Sequence, residues 1–312
     1  MPGHGRSCIL AGPAGWRWSC GPAALYNSDM RRLKRVAFQG ERGAFSEDAA
    51  VRLLGTSLDW QPCPRFEDVF AALAAGQVDY AVVPMENTLA GSVHENYDHL
   101  LRFKLPIVAE ASVRIVHNLI ARPGVKLSEV RRAYSHPVAL GQCVNFFRRH
   151  PGIAPETYYD TAGSVKMLER APNGSAAVAS AAAAALYGAH ILKRSIEDDR
   201  RNFTRFFLLA RQAPARPRGD PLRLKTSIVF TTRNIPGALF RCLSVFALRD
   251  INLAKIESRP LRGKPWEYLF YLDFLGSAQE PRSRNALRHL TELTDLLQVL
   301  GCYSQGGNRP MD

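Results

Sequence analysis

Polar side chains gather at five places in the sequence where a strand-like run ends or a helix-like run begins. The five segments are residues 40–46, 84–92, 135–143, 160–164 and 202–206. Such places present free backbone N–H groups and the positive end of a helix dipole, and both favour anions. The pattern therefore indicates a site for an anionic ligand.

The second segment holds more polar groups than a turn requires. Residues 84–92 place Glu86, Asn87, Thr88 and Ser92 directly after a buried strand. Four polar groups in nine residues favour a binding site over a simple turn.

The third segment opens a helix. Pro137 fits the first helical position, which puts Ser135 and His136 at the cap. Gln142 lies off the apolar stripe of this helix and can face a cleft. His136 is either a proton carrier or a capping and packing residue.

The remaining segments have simple structural explanations as alternatives. Residues 40–46 fit an ordinary strand-to-helix turn, and helix capping alone would account for Asp160 or Thr161. Residues 202–206 stand immediately before an apolar strand at 207–210.

Strands alternating with helices of about ten residues position these segments, a pattern typical of parallel sheets covered on both faces. The predicted strands are 35–39, 80–83, 107–109, 113–120, 133–135, 157–159, 176–179 and 207–210. The predicted helices are 44–54, 66–75, 95–101, 138–149, 162–170 and 181–190.

The order of elements changes after residues 211–223, whose Pro, Gly and Arg content indicates a linker. Residues 224–304 then predict strand, helix, two strands, helix and strand. This βαββαβ order indicates a small ferredoxin-like sandwich.

The sequence lacks the motifs of nucleotide-binding proteins, zinc proteases and serine hydrolases. The sequence has no G-x-G-x-x-G, G-x-x-x-x-G-K-[ST], H-E-x-x-H or G-x-S-x-G motif, and its six cysteines form no C-x-x-C pair. We therefore expect no cofactor and no metal. No apolar run reaches the roughly 18–20 residues of a membrane span, so no membrane association is expected.

A net charge of +13 is compatible with a protein that binds nucleic acid. However, residues 1–35 contribute +5 and residues 211–225 contribute +4, both outside the patterned regions. No nucleic-acid-binding motif accompanies them, so we expect solvated basic segments and no nucleic acid.

Four motifs in this order closely resemble the prephenate dehydratases: residues 86–93 (ENTLAGSV), 135–143 (SHPVALGQC), 160–164 (DTAGS) and 202–206 (NFTRF). Downstream, residues 235–239 (IPGAL) and 257–260 (ESRP) resemble the two signatures of that family's ACT regulatory domain. The resemblance implies an α/β fold with a two-lobed catalytic region like a type II periplasmic binding protein, followed by a βαββαβ ACT domain.

The implied organisation has five parts. These are an extension at 1–34 that is disordered or mis-started, a catalytic region at 35–212, a linker at 213–223, an ACT domain at 224–304 and a tail at 305–312. The lobes would be residues 35–110 with 190–212, and residues 111–189. With about 34 residues before the first strand, no chorismate mutase domain is expected, and the enzyme would be monofunctional.

The implied reaction converts prephenate to phenylpyruvate, water and carbon dioxide, without a cofactor. The resemblance makes Thr204 the residue nearest the departing hydroxyl, polarised by Arg205 or a helix end. Arg205 would either pair with a substrate carboxylate or anchor the lobe. The residues implied to bind substrate are Asn87, Thr88, Ser135, Gln142, Thr161, Ser164 and Arg205. Thr88 stands where family members commonly have Ser.

The resemblance also implies L-phenylalanine as an inhibitor bound by the ACT domain across the interface of a homodimer or homotetramer. Its implied site consists of Gly237, Ala238, Leu239, Asn252, Glu257, Ser258, Arg259 and Pro260. Two alternatives stay open: an arogenate dehydratase, which acts on the aminated substrate, and a non-catalytic small-acid sensor. The Arg- and Ala-rich composition favours prephenate, and the scattered cysteines indicate a reducing, cytoplasmic location.

Overall fold

The computed structural model describes residues 32–215, 223–232, 234–261 and 267–306. The predicted N-terminal extension up to residue 31, most of the predicted linker and the end of the tail lie outside these ranges. The strands are β1 (Lys34–Gln39), β2 (Leu58–Cys63), β3 (Tyr80–Asn87), β4 (Gly91–Ser92), β5 (Ile107–Arg114), β6 (Asn118–Ala121), β7 (Arg132–Ser135), β8 (Ala154–Thr157), β9 (Ser175–Ala179), β10 (His190–Lys193), β11 (Phe203–Leu209), β12 (Leu224–Thr232), β13 (Leu253–Pro260), β14 (Tyr268–Leu275) and β15 (Leu297–Ser304). The helices are α1 (Phe45–Leu54), α2 (Phe66–Ala74), α3 (His94–Phe103), α4 (Pro137–Gly141), α5 (Val144–Arg149), α6 (Thr161–Met167), α7 (Ala181–Leu186), α8 (Ala238–Ala247) and α9 (Pro281–Leu293).

The first sheet forms one lobe and has the strand order β2-β1-β3-β11-β5, with β4 added to β3. Strand β1 runs parallel to β2 and β3, whereas β11 is antiparallel to both β3 and β5. The central strands β3 and β11 are apolar and buried over residues 81–83 and 206–209, because both faces of the sheet are covered there.

The second sheet forms the other lobe, in the order β10-β6-β9-β7-β8. Its core packs Phe146 and Cys143 against the sheet on one face and α6 and α7 on the other. The chain leaves the first sheet after β5 and returns to it at β11, so two connections cross between the lobes. Thr204 therefore lies one residue past a lobe crossing.

The third sheet, in the order β13-β14-β12-β15, carries α8 and α9 on one face. Its other face packs Tyr271, Leu300 and Tyr303 into the core of the first lobe. At Gly301 of β15 a Cβ atom would overlap the carbonyl oxygen of Ile107 on β5, so this contact requires glycine. The structure confirms the two-lobed α/β fold followed by a βαββαβ unit.

The structure corrects several predicted elements. Strands β2 and β10 were missed; β2 contains Pro62, which an edge strand tolerates but which obscures a strand pattern. The sheets of the two lobes are mixed rather than parallel. The predicted strand 113–120 is divided between β5 and β6, and the predicted helix 138–149 breaks at Gln142. Residues 111–114 belong to the first lobe and β10 to the second, which moves both predicted lobe boundaries.

Candidate functional site

A cavity of about 460 Å³ lies between the two lobes. The first lobe lines it with Asn87, Thr204 and Phe206, and the second with Gln142 and Thr161. Residues from four motifs that are separate in the sequence therefore meet at one place.

Asn87 anchors the first-lobe side of the cavity. Its Oδ1 accepts hydrogen bonds from the backbone N–H groups of Leu89 and Ala90 at 2.9 and 2.8 Å, which fixes the orientation of the amide. Its Nδ2 then donates to Thr204 Oγ1 at 2.9 Å and to the Phe203 carbonyl at 3.1 Å. Because Thr204 Oγ1 is the acceptor in this contact, the hydroxyl hydrogen is left to be donated elsewhere.

Asn202, Gln142 and His117 extend this network into the second lobe. Asn87 Nδ2 also donates to Asn202 Oδ1 at 2.7 Å, and Asn202 Nδ2 donates to Gln142 Oε1 at 2.8 Å. The ring Nε2 of His117 lies 2.9 Å from the same Gln142 oxygen. Burial lowers the pKa of His117 below its ordinary value, and the Gln142 contact offsets this only in part. A neutral, largely buried network thus bridges the lobes beside Thr204.

Helices α1, α4, α6 and α7 all begin at the cavity wall, so its partial positive charge comes from helix ends. The lining contains no lysine or arginine. Asp160 caps α6 by accepting from the Gly163 N–H at 2.6 Å, and burial raises the pKa of its carboxyl despite that bond. The cavity can therefore receive carboxylates at helix N-termini without a cationic side chain.

Glu41 of the first lobe holds the second lobe across the rim of the cleft. It accepts from the Tyr159 hydroxyl and from Lys166 Nζ, each at 2.9 Å. Burial acts to raise the pKa of Glu41, but these two partners outweigh it and lower the pKa. The lobes are therefore joined by charge on one side of the cleft and by the amide network on the other.

Two predicted substrate-binding hydroxyls of the second lobe do not reach the cavity. Ser135 is fully buried and donates to the Val178 carbonyl at 2.6 Å, which ties β7 to β9. Ser164 is also fully buried and donates to the carbonyl of Thr161 at 2.6 Å. We correct both assignments because these hydroxyls serve the backbone of their own lobe.

Thr88 and Arg205 also lie away from this cavity. Thr88 Oγ1 donates to the Arg201 carbonyl and accepts from the Phe203 N–H, so it braces the return into β11. Arg205 neighbours Thr204 along β11, and successive strand side chains point to opposite faces. It therefore points towards the third sheet and away from Thr204, whose hydroxyl oxygen instead accepts a hydrogen bond from the Asn87 amide.

The guanidinium of Arg205 is the centre of a buried ionic cluster between the first lobe and the third sheet. It lies 2.6 Å from Glu110 and 2.6 Å from Asp273 of β14, and donates to the Tyr303 hydroxyl at 3.2 Å. The cluster borders a second, polar cavity of about 800 Å³. Of the two predicted roles for Arg205, the structure supports the anchoring one.

The predicted effector residues on β13 alternate between two environments. Glu257 accepts from Ser92 Oγ at 2.8 Å, and Arg259 lies 3.4 Å from Asp98, so both side chains are occupied by the first lobe. We correct their assignment to an effector pocket on this ground. Ser258 and Pro260, on the opposite face of β13, are exposed.

The predicted effector residues at the start of α8 are exposed or half-buried. Gly237 has φ = 77° and precedes α8, and no side chain caps that helix. Gly237 and Asn252 are exposed, while Ala238 and Leu239 are half-buried. The Ala238 N–H donates to the Ile235 carbonyl at 3.2 Å, and a helix start of this kind is suited to a carboxylate.

Sequence reasoning missed two residues of the site. His117 was not selected because a single histidine inside a strand-like run carries no motif. Its partner Gln142 is 25 residues away in the sequence, so the contact could not be seen there. Asn202 was quoted only as part of a motif, although its amide joins Asn87 to Gln142. The dense polar content of residues 202–206 was the signal available for Asn202.

Among residues 32–215, 223–232, 234–261 and 267–306, no cluster of three or more His, Cys, Asp or Glu side chains could hold a metal ion. In the same part of the chain, no helix has the length and apolarity to cross a bilayer.

Comparison with known proteins identifies the same family over most of the chain. Residues 36–214 match the family model described as prephenate dehydratase. A relative from Arabidopsis thaliana, named arogenate dehydratase/prephenate dehydratase 2, chloroplastic, is 47% identical over 279 residues, covering 86% of this chain and 72% of the relative.

Two solved structures share the fold over most of the chain. The prephenate dehydratase of Arthrobacter aurescens in complex with L-Phe has a TM-score of 0.81 at 32% identity, covering 89% of this chain and 92% of that one. A protein described as a novel type of quorum quenching acylase, GqqA, has a TM-score of 0.80 at 34% identity, covering 88% and 98%.

The expected cytoplasmic location is contradicted, because the Arabidopsis relative is a chloroplastic enzyme. That expectation rested on scattered cysteines and on composition. Unpaired cysteines fit any reducing compartment and do not single out the cytosol.

Proposed function

Because this chain belongs to the prephenate dehydratase family, we propose that its cleft eliminates water and carbon dioxide from prephenate and from arogenate. Members of this family are hydro-lyases. The two substrates share the ring hydroxyl and the ring carboxylate that are lost, and they differ at the side-chain keto or amino carbon. A site that acts on the ring can therefore serve both.

The observation that carries the proposal is the polarity of the Thr204 hydroxyl. Its oxygen accepts from Asn87 Nδ2, which increases the acidity of its hydrogen, and that hydrogen is free to bond the ring hydroxyl of a substrate. Thr204 is only 8% exposed, so the bond would form with little competing water. A purely binding protein would not require this arrangement.

In the proposed mechanism, Thr204 donates a hydrogen bond or a proton to the ring hydroxyl as it leaves as water. The ring carboxylate departs as carbon dioxide, and its bonding electrons complete the aromatic ring. The reaction consumes one proton, which Thr204 would regain from solvent after product release. Aromatisation drives the step, so the protein supplies mainly orientation and one donor.

The substrate carboxylates would lie at the helix starts around the cavity. Asn87 and Gln142 would keep the ring against Thr204, and Thr161 would lie at the N-terminus of α6. Asp160 lines the same wall, and its carboxyl is compatible with the ammonium group of arogenate. The composition that favoured prephenate alone does not distinguish the two substrates, since the Arabidopsis relative carries both names.

The test is to incubate the purified protein with each substrate and measure phenylpyruvate from prephenate and phenylalanine from arogenate. We expect turnover of at least one, and the ratio of the two kcat/KM values defines the preference. Binding of both without product would contradict the proposal and favour the small-acid sensor.

We also propose that L-phenylalanine binds the third sheet's domain and lowers activity. The Arthrobacter aurescens structure contains L-Phe, and α8 begins after Gly237 without a side-chain cap among the described residues, which suits a helix start to a carboxylate. Calorimetry with L-phenylalanine, with D-phenylalanine as the control, tests binding. A measured affinity without any change in dehydratase rate would contradict the regulatory part.

A homo-oligomer assembled through this domain is the third part of the proposal. Strand β13 is an edge strand, and Phe240 and Leu248 of the neighbouring helix region are 75% and 78% exposed. Exposed apolar side chains beside an open strand edge are features of a self-association surface. Sedimentation of the wild-type protein against Phe240→Glu would show whether this surface holds the oligomer together.

A further inference from the structure

The direction of every hydrogen bond in the amide network follows from one backbone contact. A backbone N–H can only donate, so the atom of Asn87 that faces the N–H groups of Leu89 and Ala90 is the oxygen. The other atom, Nδ2, is then the donor to Asn202 Oδ1.

The same reasoning passes through the next two amides. Asn202 uses its oxygen towards Asn87, so its nitrogen donates to Gln142 Oε1. Gln142 accordingly directs Nε2 to Asn87 Oδ1, at 3.3 Å. The amide oxygen of Gln142 is an acceptor, so His117 must meet it with an Nε2–H.

This tautomer leaves a lone pair on Nδ1 of His117. The residue is 2% exposed, and Nδ1 is buried without a hydrogen-bond partner among the described residues. Its backbone is held by Glu197, which accepts from the His117 N–H at 3.0 Å and pairs with Arg114, and the Phe45 ring lies edge-on at 5.9 Å. A ring fixed in this way can present Nε2–H in only one direction.

We propose that His117 is a positioning residue whose Nε2–H holds the Gln142 amide in the orientation that orders Asn202, Asn87 and the Thr204 hydroxyl. Gln142 Oε1 has two donors, Asn202 and His117, and its own bond to Asn87 is long. Without His117 the Gln142 amide would be held by one strong bond, and the Thr204 side of the network would lose its fixed geometry. This role rests on the proposed function only in so far as the network serves catalysis.

Two substitutions separate the nitrogens of the ring. His117→Gln carries an amide that can reach the position of Nε2 and donate to Gln142, whereas the shorter His117→Asn reaches only the position of Nδ1. We expect His117→Gln to retain kcat/KM within about threefold and His117→Asn to lose about tenfold, the effect of one neutral hydrogen bond. Equal losses in the two variants would overturn the proposal.

A double-mutant cycle with Gln142→Ala tests whether His117 acts through Gln142. We expect His117→Asn to have little further effect on kcat in the Gln142→Ala background, because the group it positions is already absent. A full, additive loss in that background would assign His117 a packing role instead.

Nitrogen-15 spectra of the imidazole rings test the tautomer in the unsubstituted protein, with His117→Gln used to assign the signal among the eight histidines. We expect a neutral ring protonated at Nε2 at pH 6, where an ordinary histidine of pKa about 6.5 is mostly charged. A neutral ring protonated at Nδ1 would overturn the proposal, because its Nε2 would present a lone pair and not an N–H to Gln142 Oε1. This measurement needs no turnover, so it stands apart from the dehydratase assay, and it remains decisive if His117→Asn fails to fold.

Discussion

Replacing Thr204 with valine removes the hydroxyl and keeps the shape of the side chain. The contribution of a positioned proton donor is typically about 10²–10⁴-fold in rate, which corresponds to about 3–5 kcal/mol of transition-state stabilisation. We therefore expect kcat for Thr204→Val to fall by that factor. Thr204→Ser, which keeps the hydroxyl on a more mobile side chain, should stay within about tenfold of wild type.

The fold should tolerate this change. Asn87 Nδ2 keeps two other acceptors, the Phe203 carbonyl and Asn202 Oδ1, so no buried donor is orphaned. The expected stability loss is about 1 kcal/mol, the contribution of one net hydrogen bond. Thr226→Val is the matched control, because it deletes a buried hydroxyl that donates to the Gly276 carbonyl, far from the cleft.

The assay is the initial rate of product formation from both substrates, alongside thermal unfolding of each variant. Thr204→Val and Thr226→Val should lose similar stability, but only the first should lose turnover. If Thr204→Val turned over within a few-fold of wild type, the reasoning from the free hydroxyl hydrogen would be wrong.

Three further substitutions test the assignments made above. Ser135→Ala should lower the free energy of unfolding by about 1–3 kcal/mol, because the Val178 carbonyl loses the hydroxyl donor of Ser135. KM should not change, and a raised KM would indicate that Ser135 binds substrate. Gly301→Ala should lower the melting temperature, because its Cβ would collide with β5 and weaken packing of the third sheet. An unchanged melting curve would show that the two sheets can move apart without loss of stability. Asp273→Asn removes one of the anions around Arg205 and should destabilise the protein by up to about 3–5 kcal/mol in thermal or urea unfolding, whereas an effect on KM alone would contradict the anchoring role.

The order of elements was readable from the sequence because each lobe alternates apolar strands with amphipathic helices. The βαββαβ order of residues 224–304 was also clear, since each run ended at a turn or helix start. The sequence did not show whether neighbouring strands run parallel or antiparallel. Periodicity reports which residues are buried, but β11 and β10 join their sheets antiparallel to strands far away in the sequence.

Some predicted site residues lie at the cleft and others do not. Asn87, Gln142 and Thr161 line the cleft as expected. Ser135 and Ser164 also belong to these motifs and yet bond backbone carbonyls within their own lobe. A hydroxyl can satisfy a carbonyl or a ligand equally well, so its sequence position cannot decide between the two.

Strand alternation in β11 explains why one short motif supplies two different parts of the protein. Thr204 faces the cleft and the amide network, while its neighbour Arg205 faces the third sheet and bonds Asp273 and Tyr303 there. Reading Arg205 as a substrate ligand required both side chains on one face, which an extended backbone does not permit. Because Thr204 and Arg205 are adjacent, one peptide unit separates the Thr204 hydroxyl from the residue that contacts the third sheet, the domain proposed to bind phenylalanine. A shift of the third sheet that moved the Arg205 guanidinium would therefore act on β11 directly beside Thr204, without passing through the hydrophobic core of either lobe.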